Sequence, residues 1–171
     1  MIYFTSDTHF GHKRIIELCN RPFANIEEHD EALIHRWNQI VKPTDIVYHL
    51  GDFAFRCSRN YAQTILSRLN GNKNLILGNH DDIGSKLDGW DSIHQYAEVE
   101  FFHQHIVLFH YPLRSWHWSY KGAWSLYGHV HGKLNNEGLS LDVGVDCWNF
   151  SPISFDDVSK IMEQKSTKLL L

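Results

Sequence analysis

Cysteine is scarce in this chain. There are only 3, at positions 19, 57 and 147, an odd number at wide spacing. That excludes a disulfide framework and a CxxC zinc pair, and it predicts a reducing, cytoplasmic setting. Long apolar runs are missing too. None approaches the ~20 residues needed to span a bilayer, so no membrane partner is expected. The first strand candidate begins at Ile2, so no leader peptide is expected before the fold. Excess positive charge is also absent. With a net charge of −4, the chain has no general attraction for nucleic acid, and no nucleic-acid surface is expected. Repeats, low-complexity segments and linkers are lacking as well. A length of 171 residues then suits one domain with a substantial core. The expectation is a single domain over residues 1–166, followed by a loose tail over 167–171.

What the chain has in unusual number is histidine, with 13 scattered along it. Histidine is the commonest metal ligand and the natural proton carrier near neutral pH. A metal site is therefore the first thing to seek.

Short apolar runs bounded by Gly, Pro and Asn predict strands over 2–5, 45–50 and 74–77. Between them lie two helical patterns. Over residues 26–41, Leu33, Ile34, Trp37, Ile40 and Val41 recur at helical spacing, acids occupy the first turn, and Pro43 follows the end. Over 60–69, Tyr61, Ile65, Leu66 and Leu69 share a face, and Gly71 stops the helix. Alternation of this kind implies parallel strands with right-handed crossovers. The second half differs. Residues 98–102, 104–110, 123–128 and 139–146 read as four strands, expected to be antiparallel. A last helix over 154–164 has Ser154 as its N-cap and Asp156 and Asp157 in its first turn.

Five polar clusters each follow a strand candidate. They are Asp7-Thr8-His9, Gly51-Asp52, Gly78-Asn79-His80-Asp81, His110, and Gly128-His129-Val130-His131. In open α/β sheets, ligands bind beyond the carboxyl ends of the strands, and five such ends can converge on one crevice. Asp7, His9, Asp52, Asn79, His110, His129 and His131 supply carboxylate, imidazole and amide oxygen. Mixed N and O donors suit divalent transition ions better than calcium or magnesium. The set is too large for one tetrahedral ion and suits two ions sharing a carboxylate, ~3.5–4 Å apart. In extended chain, residues i and i+2 point the same way. That spacing lets Asp7 and His9 approach one ion and His129 and His131 address neighbouring ions. Glycines at 51, 78 and 128 permit close backbone approach.

The ordered pattern DxH, GD, GNHD, a strand-end His and GHxH resembles the calcineurin-like metallophosphoesterase superfamily over residues 7 to 131. The strings FTSDTHFGH and GVDCWNFSP look like a small, single-domain bacterial and phage branch of it. The resemblance implies an α/β fold, a four-layer α/β/β/α sandwich with two facing mixed sheets. It implies that Asp7, His9 and His131 hold a first ion, that Asn79, His110 and His129 hold a second, and that Asp52 bridges them. The ions would be manganese first, with iron, nickel or zinc as alternatives. His80 would protonate the leaving oxygen or steady the transition state, and Asp81 would orient His80. The implied activity is hydrolysis of a small phosphoester, a nucleotide among the candidates, by a hydroxide that the ions hold. Diesters are expected over monoesters, because a monoester needs extra positive charge.

Other residues carry two readings each. His12 is a substrate contact or a surface residue at a helix start. His49 supports the metals or makes an interstrand contact. Arg56 stands four residues after Asp52, where a related branch keeps a phosphate-binding Arg, although its flanking residues differ here. Arg114, Trp116, His117 and Trp118 are contacts to phosphate or base, or a partly packed loop. Cys147 beside Trp148 reads as core. Two other functions compete: a scaffold that keeps the fold without turnover, and a nuclease. The full donor set disfavours the first, and the lack of room for a DNA-binding domain disfavours the second.

Overall fold

The computed structural model describes residues 1–169, with side chains as far as Lys165. Four helices and nine strands follow in the order β1 (Ile2–Thr5), α1 (Ile15–Leu18), α2 (Ile26–Ile40), β2 (Ile46–His49), α3 (Arg59–Arg68), β3 (Asn72–Ile76), β4 (Trp90–His94), β5 (Tyr96–Phe101), β6 (Gln104–Phe109), β7 (Trp124–Tyr127), β8 (Ser140–Asp142), β9 (Ile153–Ser154) and α4 (Phe155–Leu169). Helix α2 starts where the Asn25 side chain accepts the Glu28 N–H at 2.8 Å. It ends at Val41, which is already extended, and Pro43, two residues on, cannot continue a helix. The cap is worth about 1 kcal/mol. Burying Leu33, Ile34 and Trp37 contributes about 1.5–3 kcal/mol for each aliphatic chain and more for the indole. The buried face, more than the cap, therefore holds this helix in place.

Two mixed sheets result. One has the order β4-β3-β2-β1-β9, the other β5-β6-β7-β8. In the first, β1, β2, β3 and β4 run parallel, and β9 is antiparallel to β1. Successive residues of a strand face opposite sides, and β1 uses both. Tyr3 and Val47 meet Leu33, Trp37, Ile65 and Leu66 of α2 and α3 on one side. Phe4 and Ile76 meet Ile106, Leu108, Leu126 and Leu141 of the second sheet on the other, with Phe155, Val158 and Met162 of α4 in the same core. The expected architecture of two facing mixed sheets with helical layers is the observed one.

The second sheet departs from expectation. Only β5 and β6 are antiparallel, whereas β6–β7 and β7–β8 are parallel. The connections explain it: residues 110–123 and 128–139 are long enough to return the chain, and a parallel crossover needs about a dozen residues. Strand β8 stops at Asp142 rather than 146, giving way to a 3-10 turn at Val145–Cys147. Strands β4 and β9 are short edge strands with weak alternation, and the sequence reading missed both. Ser154 does cap α4, accepting the Asp157 N–H at 3.1 Å. The helix then continues through Leu169, so the expected tail is helical to that point; residues 170–171 lie outside the described residues. Among the described residues, no helix is long and apolar enough to cross a membrane.

The carboxyl ends of β1, β2 and β3 in one sheet and β6, β7 and β8 in the other come together. An isolated parallel bridge, Ser6 to Gly144, stitches the sheets there. Val145 donates to the Ser6 carbonyl at 3.0 Å.

Candidate metal centre

Immediately beyond these strand ends the backbone turns sharply. Asp7, His9, Asp52, His129 and His131 all have φ between +49° and +70°. A non-glycine residue there is uncommon and costs about 1–2 kcal/mol. Five such residues among the expected donors mark the kind of stored strain found at functional sites. They also correct the expectation of extended chain. Asp7 and His9, and then His129 and His131, converge through left-handed turns and not through strand alternation. Hydrogen bonds from the Asp7 N–H to the Gly51 carbonyl and from the His9 N–H to the Asp52 carbonyl, both 2.9 Å, lock one turn onto the other. Gly51 has φ +96°, and a Cβ there would meet the Gly78 nitrogen and His110 Nδ1 at 2.6 Å. No side chain fits at that crossing.

The turns assemble two groups of donors. Asp7, His9 and His131 form one and Asp52, His110 and His129 the other, with ligand atoms in each within 4.8 Å of one another. Asp52 faces both. Its Oδ2 is 3.5 Å from His9 Nε2 and its Oδ1 is 3.7 Å from His110 Nε2. The Asn79 Oδ1 lies 3.2 Å from the same His110 Nε2. All seven residues expected from the sequence are thus brought together.

The polar atoms are arranged for a cation. Both ring nitrogens of His9 are buried without a hydrogen-bond partner, an arrangement costly unless something else binds there. His110 Nδ1 donates to the Leu50 carbonyl at 2.7 Å, which leaves the Nε2 lone pair of a neutral ring pointing into the site. Burial pushes the Asp7 carboxyl up to about 8, with Asp52 and Asp142 adding to the rise and His131 opposing it. Burial, then Arg21 and the neighbouring histidines, hold His9 far below the ordinary histidine range. Burial lowers His110 as well, against the pull of Asp52. Crowded carboxylates and neutral imidazoles of this kind fit divalent ions. Carboxylate, imidazole and amide donors together fit transition ions better than calcium.

Two residues that the sequence reading passed over support the donors. The Asp146 Oδ2 accepts from His131 Nδ1 at 2.7 Å. Arg21, 3% exposed, grips Asp146 through Nε at 2.8 Å and Nη2 at 2.7 Å. Its Nη2 also donates to the Asp7 carbonyl at 2.7 Å and its Nη1 to the Thr8 carbonyl at 3.1 Å. One buried guanidinium thus holds the strained Asp7 turn and the carboxylate that orients His131. Burial opposes the charged His131, but the Asp146 hydrogen bond carries the ring up to about 10. The signal for Asp146 was present in GVDCWNFSP. Arg21, in an ordinary helix-end sequence, offered none. His49 also lies beneath the site, buried, with Nε2 on the Thr8 hydroxyl at 2.9 Å.

At the rim, the His80 ring lies 4.0 Å from the Phe55 ring, centroid to centroid, and 5.7 Å from His9. Asp81 was expected to orient that ring, and it does something else. Its Oδ2 accepts the Asp52 and Gly78 N–H groups at 2.7 Å and its Oδ1 the Phe53 N–H at 2.9 Å. A carboxylate with three backbone donors in range is satisfied by them, so Asp81 fixes the Asp52 loop and Phe55 carries the His80 ring. His12 reaches the site: its ring lies against Phe55 and His9, and burial, then His80 and Arg56, lower it to about 4. Arg56 is exposed, with its guanidinium 5.2 Å from the Phe55 ring centre. Tyr111, which was not anticipated, stands over the other side, 4.8 Å from His129.

One expected substrate contact, His117, is elsewhere. His117 bonds Glu98 at 2.7 Å, beside His105 near the start of β6. Five residues of strand separate His105 from His110, about 16 Å. Arg114 lines a groove with Tyr127, Leu134 and Ser140. Farther along the same loop, Trp116 Nε1 donates to the Ala123 carbonyl at 2.8 Å.

No family model matches the chain. It is 36% identical over 171 residues to the uncharacterized protein MJ1445 of Methanocaldococcus jannaschii, a match covering 95% of this chain and 92% of that one. Among solved structures, the protein of unknown function AQ665 from Aquifex aeolicus is similar with a TM-score of 0.77 at 29% identity, covering 94% of this chain and 98% of that one. The phosphoesterase Yfce from E. coli shares the fold with a TM-score of 0.51 at 18% identity, covering 84% of this chain and 77% of that one. The chain therefore belongs to one family with the M. jannaschii protein, and it has the fold of the phosphoesterase Yfce.

Proposed function

We propose that this chain hydrolyses a small phosphoester, a diester in preference to a monoester, at a centre for two divalent ions built within residues 1–166. The observation that carries the reading is Asp52, one carboxylate facing two separate donor groups, with an oxygen toward each. Asp7, His9 and His131 would hold one ion, and Asn79, His110 and His129 the other. Manganese suits the donors best, with iron, nickel or zinc next. Such ions, when bound, polarise phosphoryl oxygens and bring a water molecule's pKa near neutrality.

The chain's own groups do the rest. Arg21 and Asp146 keep His131 turned toward the first position. Asp81 holds the Asp52 loop against Gly78. His80, pinned on Phe55 at the rim, is placed to donate a proton to a departing oxygen or to the phosphoryl group. Tyr111 borders a cleft of about 350 Å³ that also touches Gly78, Ser85, Gln95 and Phe109, where the group attached to the phosphate can rest. A nucleotide falls within that size. Arg56, whose guanidinium lies over the Phe55 ring at this rim, is exposed. A second negative charge on a monoester therefore has little to meet it.

The test measures bound metal per chain and kcat/KM for mono- and bis-p-nitrophenyl phosphate with Mn, Ni, Zn and Mg in turn. Turnover of the diester at two ions per chain supports the proposal. Metal uptake with no turnover of either ester would make the chain a scaffold. A monoester advantage abolished by Arg56→Ala would reverse the diester preference and make Arg56 a phosphate clamp.

A further inference from the structure

On the outer face of the second sheet lies another cluster, unconnected with the centre above. Strands β5 and β6 pair antiparallel with Glu98 opposite Val107 and Glu100 opposite His105. Ile106 and Leu108 point into the core. Glu98 and His105 therefore share the outward face as diagonal neighbours, close enough for long side chains to meet. The third member arrives from the loop between β6 and β7. There the Ala123 N–H bonds the Trp118 carbonyl at 3.1 Å, the Lys121 N–H bonds it at 2.8 Å, and the Ser119 N–H bonds the Trp116 carbonyl at 3.1 Å. Trp118 sits at φ +57°. This closed turn sets His117 over the strands.

We infer that Glu98, His105 and His117 form a separate binding site for one divalent transition-metal ion, zinc by its donor chemistry. His105 Nε2 and His117 Nδ1 each lie 2.7 Å from the same Glu98 Oε2, and one ligand atom from each residue falls within 4.8 Å of the other two. Two imidazoles and one carboxylate are a zinc donor set that leaves the fourth tetrahedral position to water. With zinc–ligand bonds near ~2.0–2.1 Å, donors stand about 3.3 Å apart around the ion. The two N···O contacts need to open by only about 0.6 Å, a small rotation for side chains that are 18–48% exposed. The backbone bonds that shape the turn do not involve the three ligands, so the site is formed before the ion arrives. The Trp118 ring, 4.8 Å from His105 and 4.5 Å from His117, walls one side. The Tyr96 hydroxyl holds the other Glu98 oxygen at 2.7 Å and steadies the carboxylate. An ion here would fasten the 111–123 loop to the sheet.

Zinc uptake is measured by equilibrium dialysis with elemental analysis for the wild type, His117→Gln, Glu98→Gln and Asp52→Asn. Circular dichroism confirms that each is folded. Glutamine at 117 can still donate a hydrogen bond to Glu98 but offers no imidazole. The wild type should bind one zinc per chain more than His117→Gln and Glu98→Gln, or bind it at least about tenfold more tightly. Manganese-supported turnover should be unchanged in both variants. Asp52→Asn, which leaves Glu98, His105 and His117 untouched, should keep this zinc, and cobalt in its place should add d–d absorption of one further N/O site, an increment that His117→Gln lacks. Wild-type zinc uptake in both His117→Gln and Glu98→Gln would overturn the inference. So would loss of all bound zinc in Asp52→Asn.

Discussion

Replacing Asp52 by Asn tests the heart of the site. The change preserves shape and volume. It also keeps an oxygen that can accept the His80 N–H, now bonded to Oδ1 at 2.9 Å, so the loop should stay folded. What it removes is the charge and the second oxygen, the one 3.5 Å from His9 Nε2. Disturbing a residue that merely orients a ligand costs ~10–100-fold in metal affinity, so losing a shared ligand should cost at least about 100-fold. At a fixed free metal concentration well above Kd, that is about 2.7 kcal/mol of metal-induced stabilisation lost. For a chain of this size, each kcal/mol moves Tm by ~2–4 °C, so the metal-induced rise in Tm should shrink by about 5–11 °C. The metal-free protein should behave oppositely. Asp52 raises the pKa of both Asp7 and Asp81 by repulsion, so removing its charge should leave the metal-free Tm equal or higher. Thermal scans with and without manganese, metal analysis, and turnover of bis-p-nitrophenyl phosphate read all three effects. Two ions per chain, a wild-type Tm gain and undiminished turnover in Asp52→Asn would refute the shared-carboxylate centre.

Further expectations concern the rim, the backbone and the protons. His80→Ala should bind metal normally but lower kcat by ~10²–10⁴-fold, most for esters with poor leaving groups. An equal loss for p-nitrophenyl and alkyl esters would show that His80 steadies the phosphoryl group, and loss of a metal would exclude both roles. Gly51→Ala forces a Cβ to within 2.6 Å of the Gly78 nitrogen and His110 Nδ1 at φ +96°. It should destabilise by about 2–4 kcal/mol, overpacking plus left-handed strain, and a denaturation midpoint equal to wild type would contradict the packing described. For pH, burial raises Asp7 from 3.8 to about 8, and the Asp146 hydrogen bond, against burial, raises His131 from 6.5 to about 10. In the metal-free protein both groups bind protons more tightly folded than unfolded, whereas the lowered His9, His12 and His110 act oppositely below about 6.5, so its stability should fall as pH rises from about 6.5 toward about 10. Both must lose protons to bind metal, so uptake at pH 7 should release protons. Calorimetry in buffers of different ionisation enthalpy checks this, and identical heats would count against it.

The sequence alone determined which residues could serve as donors. Metal donors are recognisable by type, and their order along the chain, each after an apolar run, survives any detail of folding. That is why Asp7, His9, Asp52, Asn79, His110, His129 and His131 were legible before the fold was known. Helix α2 was legible for a similar reason: its cap, its apolar face and its stop are all local. Tertiary structure decided the rest. Strand direction in β6, β7 and β8 depends on where long loops return the chain, and apolar alternation does not encode that. The left-handed turns at Asp7 and Asp52 exist only because each is bonded to the other across two strands. Asp81 left His80 for three backbone N–H groups that only the folded loop presents. Arg21 and Asp146 are 125 residues apart, so no local pattern could pair them. The same is true of His117, whose neighbours in sequence suggested a substrate contact and whose neighbours in space are Glu98 and His105.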